Sequence, residues 1–405
     1  MKATNILLLA ALGGFLMANR SIGQTWTWTQ TSAPTNDWTS IAMSANGKVL
    51  AVAGPQTSLF ISTNSGVTFA TNSQQFAVTS VSSSADGSRL FVPGGLIILP
   101  GKYSEYIAWI SQDFGMSWTE HSLTANGSYA AGSADGKVLM ASGGLGSQSS
   151  FSTDSGNTWH SMASGSRCLI GASGSPWMRI DGGSYDSSDG FWVSTNHGIN
   201  WVSNALPDIN VKTFAMSADG SRIVAASSYN SGGVWSGSIY VSTNTAVSWT
   251  TTSAPSNSWW EVASSADGGT LAAIATSGGR ATTGGSIYTS TDGGMTWVLN
   301  NASITNWTWV AISADGSKLA ACVYNGGVWV AQLTSAPQMD IAPATGGLKL
   351  SWILPATNFV LQSSCDLSHW ATLVSPAPVL NLTNLQDEIT LPLPGPNRFY
   401  RLKTP

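Results

Sequence analysis

The sequence predicts an all-β chain: a seven-bladed β-propeller closed by the N-terminal strand, followed by a small β-sandwich. Three observations carry this. A turn signature, SANG at Ser44 and SADG at Ser84, Ser133, Ser217, Ser265 and Ser313, recurs with a worn copy, ASGS, taken to start at Ser173. The steps are 40 to 49 residues, the period of a propeller or solenoid. A second signature, STDGGMTW at Ser290, has looser copies at Ser62, Ser111, Ser152, Ser194 and Ser242, six copies to seven units. Each unit reads as an apolar strand, SADG, a second strand, a polar loop, a third strand such as GSIYTS, the STDGG turn and a fourth strand beginning at Trp. Four antiparallel strands per unit make a propeller blade.

Residues 1–23 carry Lys2, a short apolar core from Ile6 to Met17, and small residues Ser21 and Gly23. That is the pattern of a secretory signal peptide, its core short of the roughly 18 to 20 residues that span a bilayer. Export to the cell surface or medium is expected, with no transmembrane segment after cleavage. Residues 24–333 are assigned to the propeller. The segment GQTWTWTQTSAPTNDW matches VSWTTTSAPSNSWW but has no strand before it, while the last unit, Trp307 to Val330, has only three strands. Thr25 to Gln30 is therefore expected to pair with Gly327 to Ala331 and remove a free edge.

Residues 334–346, rich in Pro, Ala and Gly, read as a linker. Residues 347–405 alternate six short strands with turns, from LKLSWI to RFYRLK, as a small sandwich does, with Trp352, Trp370 and Tyr400 in or near its core. The segment resembles the fibronectin-type-III-like modules that end many exported bacterial proteins, which implies adhesion, sorting or spacing.

Charge is scarce: 16 Lys and Arg against 20 Asp and Glu, a net charge of −4 and no basic run, which excludes a nucleic-acid tracker. Three cysteines without CxxC spacing and four scattered histidines indicate neither a disulfide framework nor a metal site. No cofactor motif is present.

The repeated S/T-x-D-x-G-x-T-W is similar to the Asp-box of sialidase-like, or BNR-repeat, propellers, a resemblance that covers residues 24–333 and is specific for fold rather than activity. The acidic position alternates Asp113, Asp154 and Asp292 with Asn64, Asn196 and Asn244. Asn keeps the acceptor oxygen without the basicity that acid–base catalysis needs, so these residues hold turns. Trp118, Trp159, Trp201, Trp249 and Trp297 are read as inter-blade wedges, with Phe69 in the first copy. Ala246, where the turn wants Gly, predicts a different turn in the fifth unit.

Both turn types fall on one face, and the resemblance places a ligand site on the other, among loops between the second and third strands. Trp38, Trp259 and Trp307 each stand six residues before a SADG-type Ser, in three neighbouring units. Their indoles are candidates to stack on a sugar or clasp a peptide side chain, against the plainer reading of inter-blade wedges. Tyr229, Trp235 and Tyr324 extend that platform, and Arg280 is a further candidate.

A sialidase needs three converging arginines and a Tyr–Glu nucleophile pair. Arg167, Arg179 and Arg280 are the arginines available on the ligand side, and the pattern fits poorly. Acidic residues at Asp37, Glu105, Glu120, Asp181, Asp186, Asp189, Asp208 and Glu261 show no pairing by sequence, and Asp181, Asp186 and Asp189 lack EF-hand spacing for calcium. No catalytic residue is assigned. The expectation is a non-enzymatic binding propeller with a glycan or protein ligand. The alternatives are a carbohydrate-active enzyme and a structural or assembly-factor-like surface protein.

Overall fold

A computed structural model describes residues 26–403 except 55–58, 72–79, 98–104, 126, 144–147, 163–166, 182–189, 205–209, 277–284, 301–305, 334–338, 346, 354–359, 367–368, 382–385 and 393–397. The expected signal peptide lies outside the described residues. No helix among the described residues is long and apolar enough to cross a membrane.

The repeated units fold as four-stranded antiparallel sheets, for instance Ser258–Ser264, Leu271–Thr276, Gly285–Ser290 and Val298–Asn300. Seven such sheets precede residue 334 among the described residues. The seventh draws on both ends of the repeat region. Trp307–Ile312, Lys318–Val323 and Val328–Leu333 are joined by Trp26–Gln30, with Trp26 opposite Leu333 and Gln30 opposite Trp329. This register sits two residues further along than the sequence suggests, because the third strand continues to Leu333, whose N–H donates to the Ser317 carbonyl.

The first strands of successive sheets touch one another in a cycle that returns from Trp307–Ile312 to Ser40–Met43, so they are the innermost strands of a β-propeller. At their ends the SADG-type turns form a ring of amide-to-carbonyl bonds. It runs from Ala45 to Ala85, Ala134, Ala172, Ala218, Ala266, Ala314 and back to Ala45, each bond 2.7 to 2.9 Å. A side chain no larger than a methyl lets seven backbones approach this closely. The ring corrects one assignment: the worn turn begins at Gly171 rather than Ser173, since Ala172 holds the ring position and Gly174 donates to the Gly171 carbonyl.

Both turns are closed by their own side chains. In the second sheet Ser84 Oγ donates to Asp86 Oδ1 at 2.6 Å and accepts the Arg89 N–H. In the STDGG turn, Ser290 Oγ donates to Asp292 Oδ1 at 2.8 Å and accepts the Gly294 N–H, while Asp292 Oδ1 and Oδ2 accept the N–H and hydroxyl of Thr296. Asn64 makes the same turn by accepting the Thr68 N–H and donating from Nδ2 to Thr68 Oγ1. The two turns lie side by side on one face, as Thr245 N–H donating to Ser221 O shows.

Ala246 does not change its turn, against expectation. It adopts φ 64°, donates its N–H to Ser242 Oγ at 3.0 Å, and its methyl is wholly buried, which offsets the left-handed strain.

Asp292→Asn is therefore expected to leave the urea midpoint unchanged. Asp292→Ala is expected to cost about 1 kcal/mol, since the freed Thr296 N–H lies at the exposed surface and turns to water. A larger loss in the Asn variant would contradict this.

Asp154 provides a pH test. Hydrogen bonds from the Thr158 N–H and hydroxyl hold its carboxyl down at about 2. Its contribution to stability is full above the ordinary value of 3.8 and is lost as pH falls through about 2. Asp154→Asn is expected to flatten the fall in melting temperature across that window and to match wild type at pH 7. Parallel profiles would refute the assignment.

Apolar cores fill the spaces between adjacent sheets. Trp118, Trp159, Trp201, Trp249 and Trp297 each pack back on the preceding sheet. Trp28 fills the equivalent place in the seventh sheet, its ring 4.9 Å from Trp307. Trp38, Ile41 and Leu50 meet Ala320, Cys322 and Val328 between the seventh sheet and the first. Cys168 and Cys322 are buried and Cys365 is exposed, and none of the three forms a disulfide.

The C-terminal segment forms a four-stranded and a three-stranded sheet that share a core of Leu348, Leu350, Trp352, Leu361, Ile389, Leu391 and Tyr400. A seventh strand, Met339–Ala344, lies within the segment read as linker. Met339 and Ile341 pack on the core, and Pro343 is tolerated because the strand is at the sheet edge.

Candidate ligand-binding site

The three tryptophans proposed as a stacking platform are wedges. Trp38, Trp259 and Trp307 are 2%, 1% and 0% exposed, so no ring face meets solvent. Trp38 Nε1 donates to the Gly326 carbonyl at 2.9 Å, its ring edge-on to Phe60. Trp259 meets Tyr288 and Trp297. Bulges explain two of the orientations. Between Trp259 and Glu261, and between Trp307 and Trp309, the register slips by one residue, so residues two apart point to opposite faces of the sheet. Each bulge sets its tryptophan on the face opposite the residue two places on, Glu261 or Trp309.

The remaining aromatic candidates do not form one platform. Tyr229–Ser231 and Val234–Ser236 make a separate two-stranded hairpin between the second and third strands of the fifth sheet and hence on the face opposite the turns. Tyr229 pairs with Ser236 and Asn230 with Trp235, so Tyr229 and Trp235 point to opposite sides. Tyr229 is 41% exposed and Trp235 is half-buried. Tyr324, also half-buried, belongs to the seventh sheet, in the turn whose Gly326 holds Trp38, and the sixth sheet separates it from the hairpin. Arg280 lies outside the described residues.

What converges on the axis was not singled out as a group from sequence. Arg167 of the fourth sheet reaches Glu261 of the sixth, with Nη1 to Oε2 at 2.9 Å and Nη2 to Oε1 at 2.5 Å. The guanidinium also lies over Tyr129 of the third sheet and Trp309 of the seventh, 5.6 and 5.7 Å from their centroids. Each of these residues stands four places before the first residue of its turn motif, a position the corrected repeat register identifies. Burial pushes the Glu261 carboxyl above the usual range against the pull of Arg167. The guanidinium is thus held by two hydrogen bonds and flanked by two rings.

The other charged candidates disperse. Arg179 lies between Trp192 and Trp201, on the sheet face opposite Arg167, because Arg167 pairs with Ile180 and Arg179 with Cys168. Arg167 and Arg179 therefore do not converge. Glu120, on an outer strand, accepts from Trp109 Nε1. Asp37 lies beside Trp38, with a buried Oδ1. Asp186, Asp189 and Asp208 lie outside the described residues, as do the side chains of Glu105 and Asp181. No cluster of metal-ligating residues occurs among the described residues.

No family model and no curated relative matches the chain. Solved structures do match in fold. The chain is 13% identical to the GH74 xyloglucanase of Xanthomonas campestris, with a TM-score of 0.58 over 81% of this chain and 59% of that one, so it spans about three fifths of the enzyme's length. It is similar to YCF48 bound to D1 peptide at 15% identity, TM-score 0.52, over 79% of this chain and 99% of that one. A third neighbour is the Cps50 (Swd1) β-propeller domain of Myceliophteria thermophila, at 13% identity and TM-score 0.56, covering 76% and 100%. Identities this low establish the β-propeller fold, which glycoside hydrolases and other propellers share.

Proposed function

We propose that the protein is an exported, non-enzymatic binding propeller of the Asp-box class, seven-bladed and closed by its N-terminal strand. It takes a glycan or protein ligand on the face opposite the turns. The observation that carries this reading is the Arg167–Glu261 pair. Glu261 is the only carboxylate on the innermost strands among the described residues, and both its oxygens are held by a guanidinium. Each of its oxygens accepts from Arg167, and no second carboxylate stands on those strands among the described residues, whereas glycoside hydrolysis uses two.

The seven-membered alanine ring, the pairing of Trp26–Gln30 with the last sheet, and Trp28 as its wedge support the closed seven-bladed reading. The shared hydrogen bonding of the six turns supports membership of the Asp-box class. The C-terminal sheets, fibronectin-type-III-like in this reading, serve adhesion or spacing.

Residues 24–405 applied to an immobilised glycan and peptide array test the assignment. Saturable binding is expected. Tyr229→Ser is expected to weaken it roughly three- to tenfold at unchanged melting temperature, as the loss of one exposed aromatic contact does. Absence of saturable binding to any member of the array would overturn the reading.

A further inference from the structure

A groove of about 840 Å³ opens on the turn-bearing face between the first and second sheets, away from the site just described. Val49, Ile61 and Ala70 line one side and Phe114, Gly115 and Met116 the other. Two departures from the repeat make it. Ala70 follows its box aromatic where the sister units carry Thr119, His160, Val202, Thr250 and Val298, all larger. Phe114 occupies the fourth place of its turn, where Ser65, Ser155, His197, Thr245 and Gly293 stand elsewhere. That place is left-handed, with φ 61° at Phe114, a conformation that a bulky aromatic adopts least readily. Yet Phe114 is 39% exposed, so burial within the chain offsets only part of the strain.

We propose that this groove binds an extended peptide segment of a partner protein, carrying a large apolar side chain with an acidic one two residues away. The groove runs beside Ala70–Thr71, the outermost strand of its sheet among the described residues. An edge strand recruits a peptide backbone, and alternate side chains of the added strand then point the same way. One enters between Ala70 and Phe114. Lys48 at the rim is exposed and forms no ion pair among the described residues. Asp86, across the groove, is already engaged by Ser84 and Ser88, which leaves the cation to be matched by the ligand.

Fluorescence polarisation with labelled, end-blocked hexapeptide pools tests this, each pool alternating Asp or Glu, Thr, and Leu, Phe or Trp. Saturable binding is expected. Phe114→Ser and Ala70→Thr, each installing a residue that sister units carry, are expected to weaken it at least tenfold at unchanged melting temperature. Lys48→Ser is expected to abolish the preference for the acidic pools over Asn and Gln counterparts. Tyr229→Ser is expected to leave the signal intact, which separates this groove from the opposite face. No binding by any pool, or binding indifferent to Phe114→Ser and Ala70→Thr, overturns the proposal.

Discussion

Glu261→Ala is expected to destabilise the propeller by about 3–5 kcal/mol, read from the urea midpoint, because it strands the Arg167 charge inside the channel. With side chains only 16% and 5% exposed, little water is at hand to replace a lost partner. The double variant Arg167→Met with Glu261→Leu is expected to recover most of that loss, since two apolar side chains of similar size carry no desolvation cost. A double variant as unstable as Glu261→Ala would show that the pair, rather than the orphaned charge, holds the channel.

Trp307→Ala is expected to cost about 3–5 kcal/mol through lost burial and the cavity left between the sixth and seventh sheets. The ring is wholly buried and lies 4.9 Å from Trp28, so the loss also loosens the strand that the N-terminus contributes. Binding per folded molecule is expected to stay unchanged. If the variant kept its melting temperature and lost binding, the wedge reading would fail and a ligand platform would return.

The repeats made the fold legible. Strand order and turn positions follow from SADG and STDGG, because each turn spends its Ser and Asp or Asn on its own backbone and so keeps them fixed in sequence. Trp28 was legible too, through the match of its segment to that around Trp249. The interior of the channel was not. Strand alternation places Trp259 and Glu261 on one side, and a bulge that no residue type announces separates them. Sequence also gives each innermost residue its height along the axis but not its partner across it, so Arg167 and Glu261, 94 residues apart, read as unrelated. The worn turn was misplaced because Ser173 looked like the missing serine, whereas the ring selects for Ala172 and a tight Gly171.

The central claim is that the channel carboxylate is a structural partner and that the molecule binds rather than hydrolyses. Hydrolysis of a panel of chromogenic glycosides by wild type and by Glu261→Gln, normalised to folded protein, tests it most directly. The expected result is no chromophore release by either protein, alongside saturable ligand binding by both. Turnover by wild type that Glu261→Gln abolishes would contradict the account and make Glu261 a catalytic residue.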